Sequence, residues 1–241
     1  MYRRWRGYRS CNRNDVAMLS ILIIGASRGI GLECVKQYRA AGATVYATHR
    51  SEEDRLVLRD LGANTLKVDV TDINDVAGLA WQIDGEHLDT AIINAGVYGP
   101  RTSTALQTPT VEEFDAVMRT NVLAIMRLVP IVAPLLEPAR GSLAFISSKM
   151  GSISNAWASY GMLYRTSKAA LNMVAKLAHT DFSPRGVRVL TMHPGWVRTD
   201  MGGPNAEIDV EDSVAGIRQV IADSRFASGG FYDFRGNTIE W

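Results

Sequence analysis

Tyr164 and Lys168 stand four residues apart, a spacing that on a helix puts both on one face. A free tyrosine titrates near ~10, too high for a proton-transfer group at neutral pH. A neighbouring ammonium stabilises phenolate, so the pairing is expected to lower that value. The same spacing occurs in ordinary surface pairs, and other motifs must give it meaning. One is Gly25-Ala26-Ser27-Arg28-Gly29-Ile30-Gly31, with its glycines spaced G-x-x-x-G-x-G. Such glycines let the chain turn sharply and let backbone approach a pyrophosphate, while a following helix offers N–H donors and its positive dipole end. Gly25, Ser27, Arg28, Gly29, Ile30 and Gly31 are therefore candidate nucleotide contacts. Farther on, where an acid commonly holds a ribose 2′-hydroxyl, the chain reads Thr48-His49-Arg50. Arg50 and Arg28 suit a 2′-phosphate, because guanidinium pairs well with phosphate oxygens. This favours NADP(H) as cofactor; Glu52 and Glu53 follow closely, and NAD(H) stays open.

These residues need strands and helices to place them. Met18–Ile24 is an apolar run ending at Gly25 and reads as a strand buried on both faces. Gly29–Ala41 has helical periodicity and Gly42 as its stop. Further strands are expected at Ala43–Thr48, Asn64–Val70, Leu88–Ile93, Ser142–Ser147, Val187–His193 and Gly230–Phe234. Helices are expected at about Ser51–Asp60, Asp72–Trp81, Val111–Leu136, Tyr160–Phe182 and Val210–Ala222, with Pro130 and Pro134 bending or ending the long one. Strict alternation of strand and helix predicts an α/β fold: a single-domain, Rossmann-type, doubly wound parallel sheet of about seven strands with helices on both faces.

The chain has 241 residues and a formal net charge of +1. That balance argues against a dedicated nucleic-acid binder, which needs a basic face. No run of eighteen consecutive apolar residues occurs, so no membrane span is expected. Two cysteines, Cys11 and Cys34, support neither a disulfide framework nor a cysteine-rich metal site and point to a reducing, cytoplasmic compartment. His49, His87, His179 and His193 are dispersed without ligand spacing, so no metal is expected; His193 is read as ending the sixth strand. Residues 1–17 carry five arginines against one aspartate and read as a basic leader outside the fold, leaving 18–241 as the domain; a basic arm for RNA or membrane association is the competing reading.

The motifs together resemble the short-chain dehydrogenase/reductase family from Leu19 to Trp241. Beyond the glycine turn they include Asn94-Ala95-Gly96, Asn121, Ser147-Ser148, the Y-x-x-x-K run Tyr164–Lys168, and Pro194-Gly195. Ser147–Ser152 and His193–Gly203 are similar to the C-factor-like and sniffer-like carbonyl reductases. The resemblance implies hydride transfer between a nicotinamide and a small-molecule carbonyl or secondary alcohol. Tyr164 would be the general acid/base, and Ser148 would hydrogen-bond the reacting oxygen. Lys168 would grip the nicotinamide ribose, and Asn121 would support a water-linked proton path. Asp69 and Val70 would lie at the adenine, and Asn94, Ala95 and Gly96 beside the ribose. Pro194, Gly195, Val197 and Thr199 would hold the carboxamide. A homodimer through the two long helices is also implied. Ser148 precedes Tyr164 by sixteen residues, farther than is usual in the family, and Ser152, Ser154 and Ser159 lie between as alternatives. Tyr98, Trp157 and Trp196 are candidate aromatic walls. A C-factor-like signalling protein that binds nucleotide without essential turnover is the alternative function.

Overall fold

A computed structural model describes residues 18–104 and 107–241, so the basic leader expected over residues 1–17 lies outside the described residues. The first strand, β1 (Ser20–Ile24), shows why its sequence is uniformly apolar. Leu22 and Ile24 enter one hydrophobic core and Ile21 and Ile23 the other, on opposite faces of the sheet. Helix α1 (Gly29–Ala40) follows, then β2 (Thr44–His49), α2 (Glu52–Asp60), β3 (Asn64–Lys67), α3 (Ile73–Gln82) and β4 (Thr90–Ile93). The second half runs through α4 (Val111–Met118), α5 (Ala124–Val132), β5 (Ser142–Ile146), α6 (Met162–Phe182), β6 (Arg188–His193), α7 (Val210–Ala222) and β7 (Gly230–Asp233).

All seven strands pair in parallel in the order β3-β2-β1-β4-β5-β6-β7. The order reverses between β1 and β4, which opens a crevice at the carboxyl ends of the strands, where such sheets bind ligands. One core packs α3, α5 and α6 on the sheet through residues such as Leu79, Leu128 and Ala175. The other packs α1, α2 and α7 through Val35, Leu58 and Ile217.

The long helix departs from expectation. Its first break is a π turn over Arg119–Leu123 and Pro130 rides inside α5, whereas α5 does end beside Pro134, at Val132, where a 3₁₀ turn over Ala133–Leu136 begins. The wide turn carries Asn121 inward to the β4 loop, a local adjustment often found at functional positions. The Val111–Leu136 stretch, with a mean hydropathy of 1.5 in its most apolar window, is long and apolar enough to cross a membrane. Here its apolar face is spent on the sheet: Val122, Ile125, Leu128 and Val132 are buried in the first core. Helix α6 starts two residues later than expected, at Met162, because Gly161 takes a left-handed backbone with φ +68°.

Candidate active site

The glycine turn joins β1 to α1 at the crevice. Thr48 of β2 anchors it, its Oγ1 accepting from the Gly25 amide at 2.9 Å, and Asn94 Nδ2 donates to the Gly25 carbonyl at 2.8 Å. A Cβ on Gly31 would stand 2.0 Å from the Gly25 carbonyl oxygen, and one on Gly25 would stand 2.7 Å from the Ala95 nitrogen. The glycines therefore allow contacts that no side chain permits. Arg28 occupies the N-cap position of α1, but no side chain caps the helix and its first turn holds no acid. Its N–H groups thus face the crevice ready for an anion.

Beside this turn, Arg28 Nη1 lies 3.6 Å from Asp200 Oδ2, both well exposed. Arg50 follows the end of β2 in solvent and reaches Asp69 electrostatically. Burial pushes the Asp69 carboxyl up, but two hydrogen bonds from Thr71 and the charge of Arg50 bring it below its usual range. Glu52 is held by Arg55, whose Nε donates to it at 2.7 Å, so this acid is engaged within α2. Val70 is buried after β3, and Thr199 touches the turn: a Cβ on Gly29 would meet its methyl at 3.2 Å. Across the crevice, the Pro194 carbonyl accepts from Ser213 of α7 at 2.6 Å, Val197 is buried, and Gly195 has φ +88°.

Ser148, Tyr164 and Lys168 are all buried. Ser147 points into the core and donates to Asn172 at 2.6 Å. Ser148, the next residue, hydrogen-bonds the Tyr164 phenol and accepts from the Met150 amide at 3.1 Å. Ser152 instead donates to the Glu240 carbonyl and supports the C-terminal segment, while Ser154 and Ser159 are exposed. Lys168 Nζ donates to the Ile146 carbonyl at 3.0 Å and lies 5.7 Å from the Tyr164 ring centre.

The electrostatics correct one expectation. The Tyr164 phenol is pushed up to about 12, because burial outweighs the hydrogen bond from Ser148. Lys168, also through burial, is brought down to about 8, so its charge is itself costly here. The lysine does not lower the tyrosine in this arrangement.

Asn121 is fully buried at the π turn. Its Oδ1 accepts from the Val97 amide and its Nδ2 donates to the Val97 carbonyl, each at 2.8 Å; Nδ2 also donates to Ser167 Oγ at 2.9 Å. A Cβ on Gly96 would face Asn121 Oδ1 at 3.4 Å and Lys168 Nζ at 3.5 Å, so both groups converge on that glycine. His193 ends β6, and burial brings its imidazole down to about 4, leaving it neutral. Among the described residues no three His, Cys, Asp or Glu side chains gather as metal ligands. Trp157 and Trp196 are exposed, whereas Tyr98 is stacked on Tyr164 with ring centres 4.5 Å apart. The sequence singled out Tyr98 only as a wall; the anchoring roles of Thr48, Asn172 and Ser213 gave no signal in it.

Comparison with known proteins fits this geometry. The family model described as short chain dehydrogenase matches residues 20–208. The chain is 36% identical over 156 residues to the C-signal protein of Myxococcus xanthus, covering 64% of this chain and 93% of that one. It superposes on the carbonyl reductase Sniffer of D. melanogaster with a TM-score of 0.84 and 29% identity, covering 93% of this chain and 100% of that one. A carbonyl reductase from Pseudomonas aeruginosa PAO1, solved in complex with NADP, aligns with a TM-score of 0.79 and 31% identity over 93% of this chain and all of that one.

Proposed function

The chain belongs to the short-chain dehydrogenase family and is an NAD(P)-dependent oxidoreductase; from that premise we propose that it reduces small carbonyl compounds with NADPH, with Tyr164 as proton donor. The observation that carries this reading is the buried Ser148–Tyr164–Lys168 cluster at the carboxyl end of β5. The residues fit the cofactor. The uncapped start of α1, with Gly25, Ser27, Gly29, Ile30 and Gly31, would take the pyrophosphate. Arg28 and Arg50 would take the 2′-phosphate, and Asp69 and Val70 would border the adenine. Asn94, Ala95, Gly96 and Lys168 would hold the ribose, and Pro194, Gly195, Val197 and Thr199 the carboxamide end. When bound, reduced nicotinamide supplies the hydride.

The protein's own contribution is a proton and its placement. A phenol held near 12 keeps its proton at neutral pH, which equips Tyr164 as an acid for a carbonyl oxygen that gains negative character. Ser148 Oγ accepts from the Met150 amide and its hydroxyl bonds the Tyr164 phenol, so a carbonyl oxygen entering beside the phenol would take over that hydroxyl proton and be fixed in position by it. The convergence of Asn121 and Lys168 over Gly96 supports a water-linked route for returning a proton to Tyr164. The C-signal likeness makes a nucleotide-binding signal without turnover the second reading, but such a protein has no chemical use for an assembled Ser148, Tyr164 and Lys168.

Phe114, Leu123, Met126, Met173 and Leu177 leave exposed apolar surface on α4, the π turn, α5 and α6, and we assign a two-fold homodimer to this face. The test of function is a pair of variants assayed for NADPH binding and carbonyl turnover. Tyr164→Phe is expected to bind NADPH normally and lose at least ~10²-fold in turnover, the usual scale for a general acid. Tyr160→Phe is expected to remain active. Near-parental turnover by Tyr164→Phe, with loss in Tyr160→Phe, overturns the assignment.

A further inference from the structure

The loop after β4 reaches the reacting tyrosine directly. Tyr98 stacks on Tyr164 with ring centres 4.5 Å apart and planes inclined by 21°. The residues around Tyr98 are pinned from three sides. Val97 is held by both ends of the Asn121 amide. The Thr102 carbonyl accepts from the Gly161 amide at 3.1 Å, immediately before α6 begins. Arg101 lays its guanidinium 5.0 Å from the Tyr98 ring centre and donates from Nη2 to the Met201 carbonyl at 2.7 Å. That last bond crosses from the β4 loop to the loop after β6, whose Thr199 touches the glycine turn. Gly161 belongs to the same device: a Cβ there would stand 2.8 Å from the Tyr98 hydroxyl oxygen, so the left-handed glycine leaves the ring its place.

We propose that Tyr98 is a positioning residue for Tyr164, and that Arg101 latches the Tyr98 segment to the loop after β6, so that cleft closure and alignment of the proton donor are one event. The inference rests on Tyr164 being the acid. A ring with two open faces can tilt and admit water to its hydroxyl. Stacking removes one of those freedoms, and the latch makes the stack depend on the position of the loop that borders the cofactor cleft. Arg101 and Met201 are both exposed, so the latch can release without unpacking the core.

Three variants test this with NADPH and any accepted carbonyl. Tyr98→Ala is expected to lower kcat by about tenfold or more, toward the ~10²-fold that an ångström of misplacement costs, with NADPH affinity kept. Tyr98→Phe restores the stack and is expected to restore kcat. Arg101→Ala is expected to raise KM for the carbonyl and lower kcat less than Tyr98→Ala. Parental kcat in Tyr98→Ala overturns the proposal, as does a Tyr98→Phe variant as slow as Tyr98→Ala.

A turnover-independent measurement uses tyrosinate absorbance, with Tyr164→Phe subtracted to isolate that phenol. The groups facing Tyr164 are Ser148 from the β5 loop, Lys168 on its own helix and Tyr98; Tyr160, Arg101 and Arg165 in turn surround Tyr98. Removing the Tyr98 ring should admit water and move the phenol down toward its ordinary ~10. An unmoved titration overturns the stack even in a protein without carbonyl turnover, whereas absence of turnover in the parent overturns the carbonyl-reductase reading alone.

Discussion

Replacing Lys168 by methionine should stabilise the protein while disabling it. The ammonium is buried, and burial holds its titration near 8 rather than 10.5. In the unfolded chain the amine titrates at its ordinary value, so between these limits the unfolded state binds more protons than the native one. Stability attributable to this residue is therefore fully present above 10.5, declines as pH falls, and is lost once pH drops through 8. At ~1.36 kcal/mol per pH unit the loss at neutral pH is about 3 kcal/mol. Methionine removes that cost but leaves the Ile146 carbonyl without its 3.0 Å donor, a penalty of about 1–3 kcal/mol. The expected net gain at pH 7 is about 1 kcal/mol. The assay is urea unfolding of both proteins without added cofactor at several pH values from 7 to ~9.5, a range kept below the Tyr164 titration. The advantage of Lys168→Met should be greatest at pH 7 and shrink steadily above pH 8, whereas NADPH binding and turnover should be weaker throughout. A stability difference independent of pH would refute the reasoning, since it would mean that the ammonium stays solvated or paired in the native state.

Arg50→Asp should weaken NADPH by about 10- to 10²-fold, the scale of one charge-assisted hydrogen bond, and leave NADH affinity unchanged or improved; equal affinities of the parent for both cofactors, measured by calorimetry, would remove the basis for this. Light scattering across a concentration series should give a dimer mass for the parent and a lower one for Met126→Glu, which puts a charge into the exposed helix face; a parent mass equal to one chain at every concentration refutes the dimer.

The parts of this protein that depend on local chain chemistry were legible in its sequence. The glycine turn is one, because Gly25 and Gly31 stand where neighbouring backbone leaves no room for a Cβ. The parallel sheet with helices on both faces follows from the alternation of strand and helix, although the order of its strands does not, and the pairing of Tyr164 with Lys168 follows from helical spacing. What escaped was set by contacts distant along the chain. Pro130 and Pro134 marked where the long helix should bend or end, and α5 does end beside Pro134, but the π turn around Asn121 carried no such mark, because Asn121 completes the backbone bonding of Val97, 24 residues away. The titration of Tyr164 was misjudged for the same reason. Sequence spacing brings an ammonium near the ring, but only the fold determines how much water both groups lose. Burial then dominates both, raising the phenol and lowering the amine. On the proposed reading this outcome bears on the pH dependence of each direction rather than on the equilibrium between them: a neutral Tyr164 has a proton to give at physiological pH and little capacity to accept one. Oxidation would require the phenolate first, and with burial opposing that charge, any alcohol oxidation should become appreciable only as pH rises well above neutrality.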